Sequence, residues 1–286
     1  MRTERFLKNE LTDLEGFLNM IEAYEEISAI RMRKVKKSVL SRREFLKGIN
    51  EAFSYIIYSY AVYRKNLKKN KDAGILSNNG RNILVLLSSN TGLYGDIILR
   101  TLSVFKKDVE NSDNNTDIVI TGHLGKRLYD ASGGRKDYKY FEMSDTASND
   151  EHLKNLLNYI TNYKSVTVYH GVFKSILVQE PQKTILTGEV LRAEGEGTKY
   201  NLSFIFEPSV EKVATYFEKQ ILSLIFEQSV FESGLSKFAS RMVSLDNAAG
   251  NITSKSLSMG FDLKKAKHKK TDSGIQENIS GVALWI

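Results

Sequence analysis

The apolar positions of this chain keep one period at both ends and a different one in the middle. Near the C-terminus, Phe217, Leu224, Phe231, Phe238, Leu245, Ile252 and Met259 fall one heptad apart. Near the N-terminus, Leu11, Leu18, Met32, Val39, Leu46, Phe53 and Tyr60 share a register broken only at Glu25. A second seam runs beside it through Leu7, Leu14, Ile21, Val35, Ile49, Ile56 and Tyr63, interrupted at Ser28 and Arg42. Together these give the alternating three-and-four spacing of a and d positions. A repeat this long keeps one seam toward one partner helix, the condition for a left-handed coiled coil. The pattern therefore predicts long terminal helices paired antiparallel, with a globular insert between them.

Between the heptads the period shortens. Ile83–Leu87 is an unbroken apolar run bounded by Ser88-Ser89-Asn90, the signature of a strand buried on both faces. Asp117–Thr121 reads as a second such strand and Tyr138–Met143 as a third. Helical spacing is expected over Ile97–Lys107, from Leu124 to Tyr129, and over Asp150–Tyr163. Ser165–His170, Ser175–Gln179, Thr184–Thr187 and Tyr200–Phe206 are expected to complete the sheet. Strands alternating with helices imply a largely parallel sheet covered on both faces. The later strands lack intervening helices, so an antiparallel edge or hairpin is expected there. The fold class is α/β: a central Rossmann-like α/β domain at 81–207, inserted between an N-terminal coiled-coil helix at 1–67 and a C-terminal one at 208–286. Glu207-Pro208 marks the second boundary, because proline suits the first turn of a helix.

The C-terminal helix carries weak points. Gly250, Gly260, Gly274 and Gly281 each cost about 1 kcal/mol against alanine in a helix interior. Past Lys264 the apolar pattern fades until Ile275, Ile279, Val282 and Trp285, which predicts fraying or bending between Lys264 and Gly274. The chain ends on Val282-Ala283-Leu284-Trp285-Ile286. An apolar tip of this kind is expected either in a partner's socket or folded back on its own helix.

Composition narrows the function classes. Hydrophobic residues make up 41% of the 286, enough for a substantial core. There is no cysteine, which excludes disulfides, thiolate metal sites and cysteine nucleophiles. The formal net charge is +7, too modest for a dedicated nucleic-acid binder. The basic residues cluster at Arg31, Arg33, Lys34, Lys36, Lys37, Arg42 and Arg43, and again at Lys264, Lys265, Lys267, Lys269 and Lys270. Each cluster reads either as a solvated helix face or as a face for an acidic partner. No secretory leader and no membrane-spanning run are expected, so any membrane association is expected to be indirect.

Candidate chemistry is sparse. Ser89-Asn90-Thr91-Gly92-Leu93-Tyr94-Gly95 follows a strand and precedes a helix, where α/β proteins bind phosphate. It matches neither the dinucleotide fingerprint nor the P-loop, and a tight turn is the better reading. His123, His152, His170 and His268 have no ligand spacing. No catalytic set, metal site or cofactor site is predicted. Two classes stay open: a small-molecule-binding α/β enzyme with helical arms, and a coiled-coil scaffold.

Several strings together resemble the γ subunit of F-type ATPases, the central shaft of the rotary motor. Ile21-Glu22-Ala23-Tyr24-Glu25-Glu26-Ile27-Ser28-Ala29-Ile30-Arg31-Met32-Arg33-Lys34 is similar to that family's I-T-K-A-M-x-M-V-A-A-S-K-M-R-K. Ser88–Gly95 resembles its S-x-D-R-G-L-C-G turn, and Phe206-Glu207-Pro208 its Y/F-E-P. Glu232 through Ala239-Ser240-Arg241-Met242-Val243 to Asp246-Asn247-Ala248 resembles its long C-terminal helix motif, and Glu277–Ala283 its terminal E-I-V-x-G-A-A. The chain departs from the family at Tyr24, at Thr91, at Thr271-Asp272-Ser273-Gly274, and at Lys267 and His268, which stand where the family has an Arg-Gln pair.

The resemblance implies a non-catalytic shaft, without cofactor, inside a ring of three α and three β subunits. Tyr24, Arg31, Arg33, Lys34, Lys267 and His268 are the implied contacts with the ring. Val282, Leu284, Trp285 and Ile286 are the implied bearing tip. An epsilon-like stalk subunit, and a membrane c-ring or a divergent replacement for it, are the other implied partners; nucleic acid is not one. The implied location is cytoplasmic, peripheral on the inner face of the cell membrane through the complex. The departures admit a specialised motor driven by hydrolysis, such as the mycoplasma F-type-like ATPases linked to gliding.

Overall fold

The computed structural model describes residues 4–66, 79–145, 151–186, 207 and 209–283. The elements in chain order are helix α1 (Glu4–Asn66), strand β1 (Asn82–Leu87), α2 (Ile97–Glu110), β2 (Thr116–Thr121), α3 (His123–Ala131), β3 (Tyr138–Phe141), α4 (Glu151–Ile160), β4 (Ser165–Phe173), β5 (Gln179–Ile185) and α5 (Val210–Ala283). The strand expected at Tyr200–Phe206 lies outside the described residues, as do Pro208, Leu284, Trp285 and Ile286. The chain divides into two units, one of residues 30–240 and one pairing residues 4–29 with 241–283.

In the larger unit the apolar run Ile83–Leu87 forms the centre of the sheet. The five described strands lie in the order β3-β2-β1-β4-β5. β1 pairs in parallel with β2 and with β4, β2 pairs in parallel with β3, and β5 returns antiparallel to β4. Because side chains alternate along a strand, β1 feeds two cores. Ile83, Val85 and Leu87 point with Val119, Val166 and Val168 to a core closed by Leu156 and Ile160 of α4 and by Leu222, Phe226 and Val230 of α5. Leu84 and Leu86 point with Ile118, Ile120 and Tyr169 to the opposite core, closed by Leu102, Phe105 and Val109 of α2 and Tyr129 of α3. The expected parallel sheet, covered on both faces and ending in an antiparallel hairpin, is the one observed.

The hairpin itself differs from the expectation. Of Ser175–Gln179 only Gln179 is in a strand: Ser175 and Lys174 donate their amides to the Val178 carbonyl in a turn. Of Thr184–Thr187, Thr184 and Ile185 are the end of β5, which already begins at Gln179, and Thr187 lies outside the described residues. The sequence of β5, with Gln179, Glu180, Pro181, Gln182 and Lys183, shows no apolar alternation. Pro181 fits there because β5 lies at the sheet edge among the described strands, where one missing amide is tolerated.

In the same unit the second part of α1 and the first part of α5 run antiparallel. Ile49 packs near Phe217 and Ile221, while Arg31 lies over the Phe238 ring. Met32, Val35 and Val39 are buried, as both predicted seams require. From Glu232 to Ser240 every residue of α5 is buried, well beyond one heptad seam.

In the smaller unit, Leu7 and Leu14 of α1 are buried with Met259 of α5, flanked by Leu11, Ile252, Leu263 and Ala266. The ion pairs Glu4–Lys270 and Glu10–Lys255 fix the antiparallel sense. The fraying expected between Lys264 and Gly274 does not occur, for α5 is continuous to Ala283. Leu263 and Ala266 extend the apolar seam into that stretch, so packing offsets the glycine cost.

Candidate functional site

Two polar clusters of the larger unit bind α5 to its surroundings. The first is the turn after β1. Ser88, at the strand end, accepts on its carbonyl oxygen a 2.9 Å bond from the Lys237 ammonium of α5. Asp145, following β3, then caps the turn: its carboxylate accepts from the amide of Asn90 at 2.9 Å, and from the amide and hydroxyl of Thr91 at 3.2 and 3.0 Å. The Lys237 ammonium lies 3.8 Å from the same carboxylate, with side chains only 7% and 13% exposed. Asn90 adds bonds to the Met143 carbonyl and the His123 amide. Leu93 is held at φ 65°, a conformation that costs a non-glycine residue about 1–3 kcal/mol. Gly95, at φ 61°, backs directly onto Ser240, and a side chain there would collide with it.

In this geometry the chain itself occupies the place and the amides that a phosphate would use. In doubly wound sheets, ligands bind beyond the carboxyl ends of the strands where the order reverses, here between β1 and β4. That place is taken by α5: Lys237 meets Ser88 at the end of β1, and Ser236 sits against Gly171 of β4. The amides that would hold an anion already hold Asp145. A recess of about 450 Å³ beside the turn, lined by Asn90, His123, Lys126 and Arg127, is open rather than enclosed.

The second cluster joins α1, α5 and the β4–β5 hairpin. Arg43 forks onto Glu232, with Nε to Oε1 at 2.5 Å and Nη2 to Oε2 at 2.8 Å. Its Nη2 also donates to the Phe173 carbonyl at 3.2 Å, and Gln228 adds a 2.8 Å bond to Glu232. Hydrogen bonding to Glu232 holds the Arg43 guanidinium above its ordinary pKa. Arg42 pairs with Glu227 at 2.8 Å and stacks 4.3 Å over Phe231. Arg42, which interrupts the apolar seam in sequence, thus closes its gap with a charge pair and its own apolar stem.

His170 lies beside this cluster. Burial pushes its pKa down to about 4, against the opposing pulls of the Gly171 carbonyl and Glu232. The ring is therefore neutral at neutral pH. Its Nδ1 faces the Gly171 carbonyl at 3.2 Å and its Nε2 faces the Thr184 hydroxyl at 2.9 Å. That assigns the proton to Nδ1, with Nε2 accepting from Thr184. Both clusters fasten elements together. Among the described residues, no group of three or more His, Cys, Asp or Glu could hold a metal ion.

The contact residues implied by the sequence lie on helix surfaces. Tyr24 is exposed on α1 in the smaller unit, on a face shared with Phe17, Met20 and Ile27, which are 53%, 48% and 43% exposed. Their spacing of three, four and three residues places all four on one stripe. Arg31, Arg33 and Lys34 are exposed on α1 in the larger unit. Lys267 and His268 are exposed on α5. The Glu4 carboxyl is held below its ordinary pKa, first by the bond from Lys8 and then by Lys270 and Lys267. Val282 falls in the last turn of α5, where side chains are not described. Arg43 belongs to the basic run read from sequence as a possible face for an acidic partner, and its partner is Glu232 of this same chain; Lys237, Asp145 and Glu232 carry no functional reading from sequence. A lone lysine in the small and apolar run Ser233–Ala239 was the available signal; nothing in the sequence pointed to Asp145.

A family model described as ATP synthase matches residues 4–283. An ATP synthase gamma chain from Pelotomaculum thermopropionicum is 20% identical over 290 residues, covering 99% of each chain. Among solved structures, a chain of the Euglena gracilis mitochondrial ATP synthase rotor matches with a TM-score of 0.63 and 13% identity, over 94% of this chain and 98% of that one. A chain of the Tetrahymena thermophila mitochondrial ATP synthase central stalk and c-ring matches with a TM-score of 0.57 and 17% identity, over 80% and 99%. These structures share the fold: terminal helices flanking a small mixed sheet.

Proposed function

Because the chain belongs to the ATP synthase gamma family, matched over residues 4–283, we propose that it is the central rotor shaft of an F-type ATPase. The observation that carries the reading is the stripe Phe17, Met20, Tyr24 and Ile27, exposed on a helix whose own seam is Leu7, Leu11 and Leu14. Apolar area of this extent beside a satisfied seam favours a surrounding surface, here a ring of catalytic α and β subunits. Arg31, Arg33, Lys34, Lys267 and His268 supply the polar contacts to acidic faces of that ring. Val282, Leu284, Trp285 and Ile286 form its bearing tip. Residues 81–207 form the α/β domain that engages the other stalk subunits, with 1–67 and 208–286 as the shaft.

The mechanism follows from asymmetry. An off-centre helix pair inside a threefold ring contacts three chemically identical sites differently. Each orientation favours a different state at each site, so differential contact free energy couples ATP turnover to rotation in either direction. The chain supplies no reacting group; it biases groups on its neighbours. Among its described residues no helix is long and apolar enough to cross a membrane.

A second reading is a motor that hydrolyses ATP without moving protons. It is favoured by Tyr24, Thr91, Lys267, His268 and Thr271–Gly274, which depart from the family pattern. One experiment tests both. Tagged chain purified under mild conditions is expected to bring down nucleotide-hydrolysing subunits in equal numbers of two kinds. A membrane c-ring among them supports the proton-coupled role, and its replacement by other subunits supports the second. Recovery without any ATPase subunit refutes the rotor assignment.

A further inference from the structure

We propose that Lys237 and Asp145 form a latch through which the α/β domain grips α5, so that the domain turns with the shaft instead of slipping on it. The inference rests on the rotor reading and adds to it a specific pair of positioning residues.

The argument starts from the place α5 occupies. The crevice at the carboxyl ends of β1 and β4 is the part of a doubly wound sheet built to hold a ligand. In this chain the helix is held there as a ligand would be. The Lys237 ammonium takes the position of a bound cation, donating to the Ser88 carbonyl at 2.9 Å and lying 3.8 Å from Asp145. Asp145 takes the position of a bound anion, accepting from the amides of Asn90 and Thr91. One carboxylate therefore fixes the turn and faces the helix ammonium at once. Gly95 and Gly171 remove the side chains that would keep α5 away, and Ser240 and Ser236 fill the spaces they leave. Leu93 is kept at φ 65° in the same turn, a conformation the surroundings must hold in place.

A buried pair of this kind adds little net stability against an apolar substitute, but it is directional. Apolar packing of Phe226 and Val230 against the sheet is non-directional and resists relative motion only through shape. A 2.9 Å bond from a single lysine to one carbonyl does not slide. The latch thus supplies the registry that torque transfer requires.

The test has two arms. In the full chain alone, Lys237→Met is expected to speed hydrogen exchange at the Asn90 and Thr91 amides by about ten-fold or more, as loss of a charge-assisted network predicts. Lys237→Arg is expected to hold near the wild-type rate. Asp145→Asn, which keeps one carbonyl acceptor, is the second variant should the methionine chain fold poorly. In the assembled complex, a probe attached through Ser103→Cys reports the torque reaching the α/β domain; the chain has no other cysteine. Lys237→Met is expected to lower that torque under load while unloaded ATP turnover is unchanged. Wild-type exchange rates at Asn90 and Thr91 overturn the latch. Faster exchange with undiminished torque makes the pair a structural contact only, and overturns its part in transmission. A chain that joins no ATP-hydrolysing ring overturns the rotor reading, while the exchange arm still decides whether Lys237 holds the turn.

Discussion

The sheet unit and the helix-pair unit are built from the same residue types and close in different ways. In the first, β1 is buried on both faces and each face has its own core. In the second, the buried apolar side chains described are Leu7, Leu14 and Met259 of one narrow seam together with Leu245, while Phe17, Met20, Leu257 and Phe261 stand about half exposed or more. The sheet unit covers both faces of its central strand, although Phe45, Leu93, Leu99 and Leu177 on its surface stay exposed. The helix pair carries more than its seam can cover, which is the condition of a part made to work inside something else.

Core truncations should show the largest effect, and they should differ between the units. Phe226 is fully buried among strand and helix side chains, so Phe226→Ala is expected to cost about 3–5 kcal/mol. Leu14 sits in a seam open to solvent on its flanks, where neighbours can close over the gap. Leu14→Ala is expected near the low end for such changes, about 2 kcal/mol. Urea denaturation of the two variants measures both. Equal losses would mean that the seam is packed as tightly as the sheet core, and the contrast between the units would fail.

A smaller effect concerns pH. His170 takes up its proton near pH 6.5 when unfolded and only near 4 when folded. The unfolded chain therefore binds the extra proton between those values. Stability is full above about pH 6.5 and falls as the pH drops toward 4, by about 2 kcal/mol at pH 5. His170→Gln keeps a partner for Thr184 and removes the titration. Its denaturation midpoint is expected to shift less between pH 7 and pH 5 than that of the wild type. Parallel shifts would show that His170 is not the group responsible and that acid acts elsewhere in the chain.

The two units were also unequally legible. The heptads Leu7–Leu14 and Ile252–Met259 could be read directly, because a seam is a periodic property and one helix suffices to show it. Ile83–Leu87 was equally plain, since burial on both faces leaves no polar interruption. The edge strand β5 was missed because Gln179–Lys183 owes its strand form to hydrogen bonding with β4 rather than to apolar alternation. The complete burial of Glu232–Ser240 was hidden for a related reason. A heptad predicts one covered face, and the second cover comes from Ser88, Gly95 and Gly171, distant in sequence. The polar clusters follow the same rule: Arg43 meets Glu232 and Lys237 meets Asp145 across gaps that no local spacing encodes.

The smallest expected effect on the isolated chain is the most informative about the helix pair. Phe17 is 53% exposed and Phe261 is 69% exposed, so neither contributes much to the stability of this chain alone. Phe17→Ser and Phe261→Ser are each expected to leave it within about 0.5 kcal/mol of the wild type. An exposed aromatic that inserts into a partner behaves differently, since truncating such an anchor costs about 1–2 kcal/mol or more of binding. On the rotor reading, the two serine variants therefore keep their denaturation midpoints and lose about ten-fold or more in affinity for the catalytic ring. Measuring both quantities on the same preparations separates the possibilities. A change in stability places these side chains in the chain's own packing. An unchanged affinity removes them from any interface and leaves their exposure without a use.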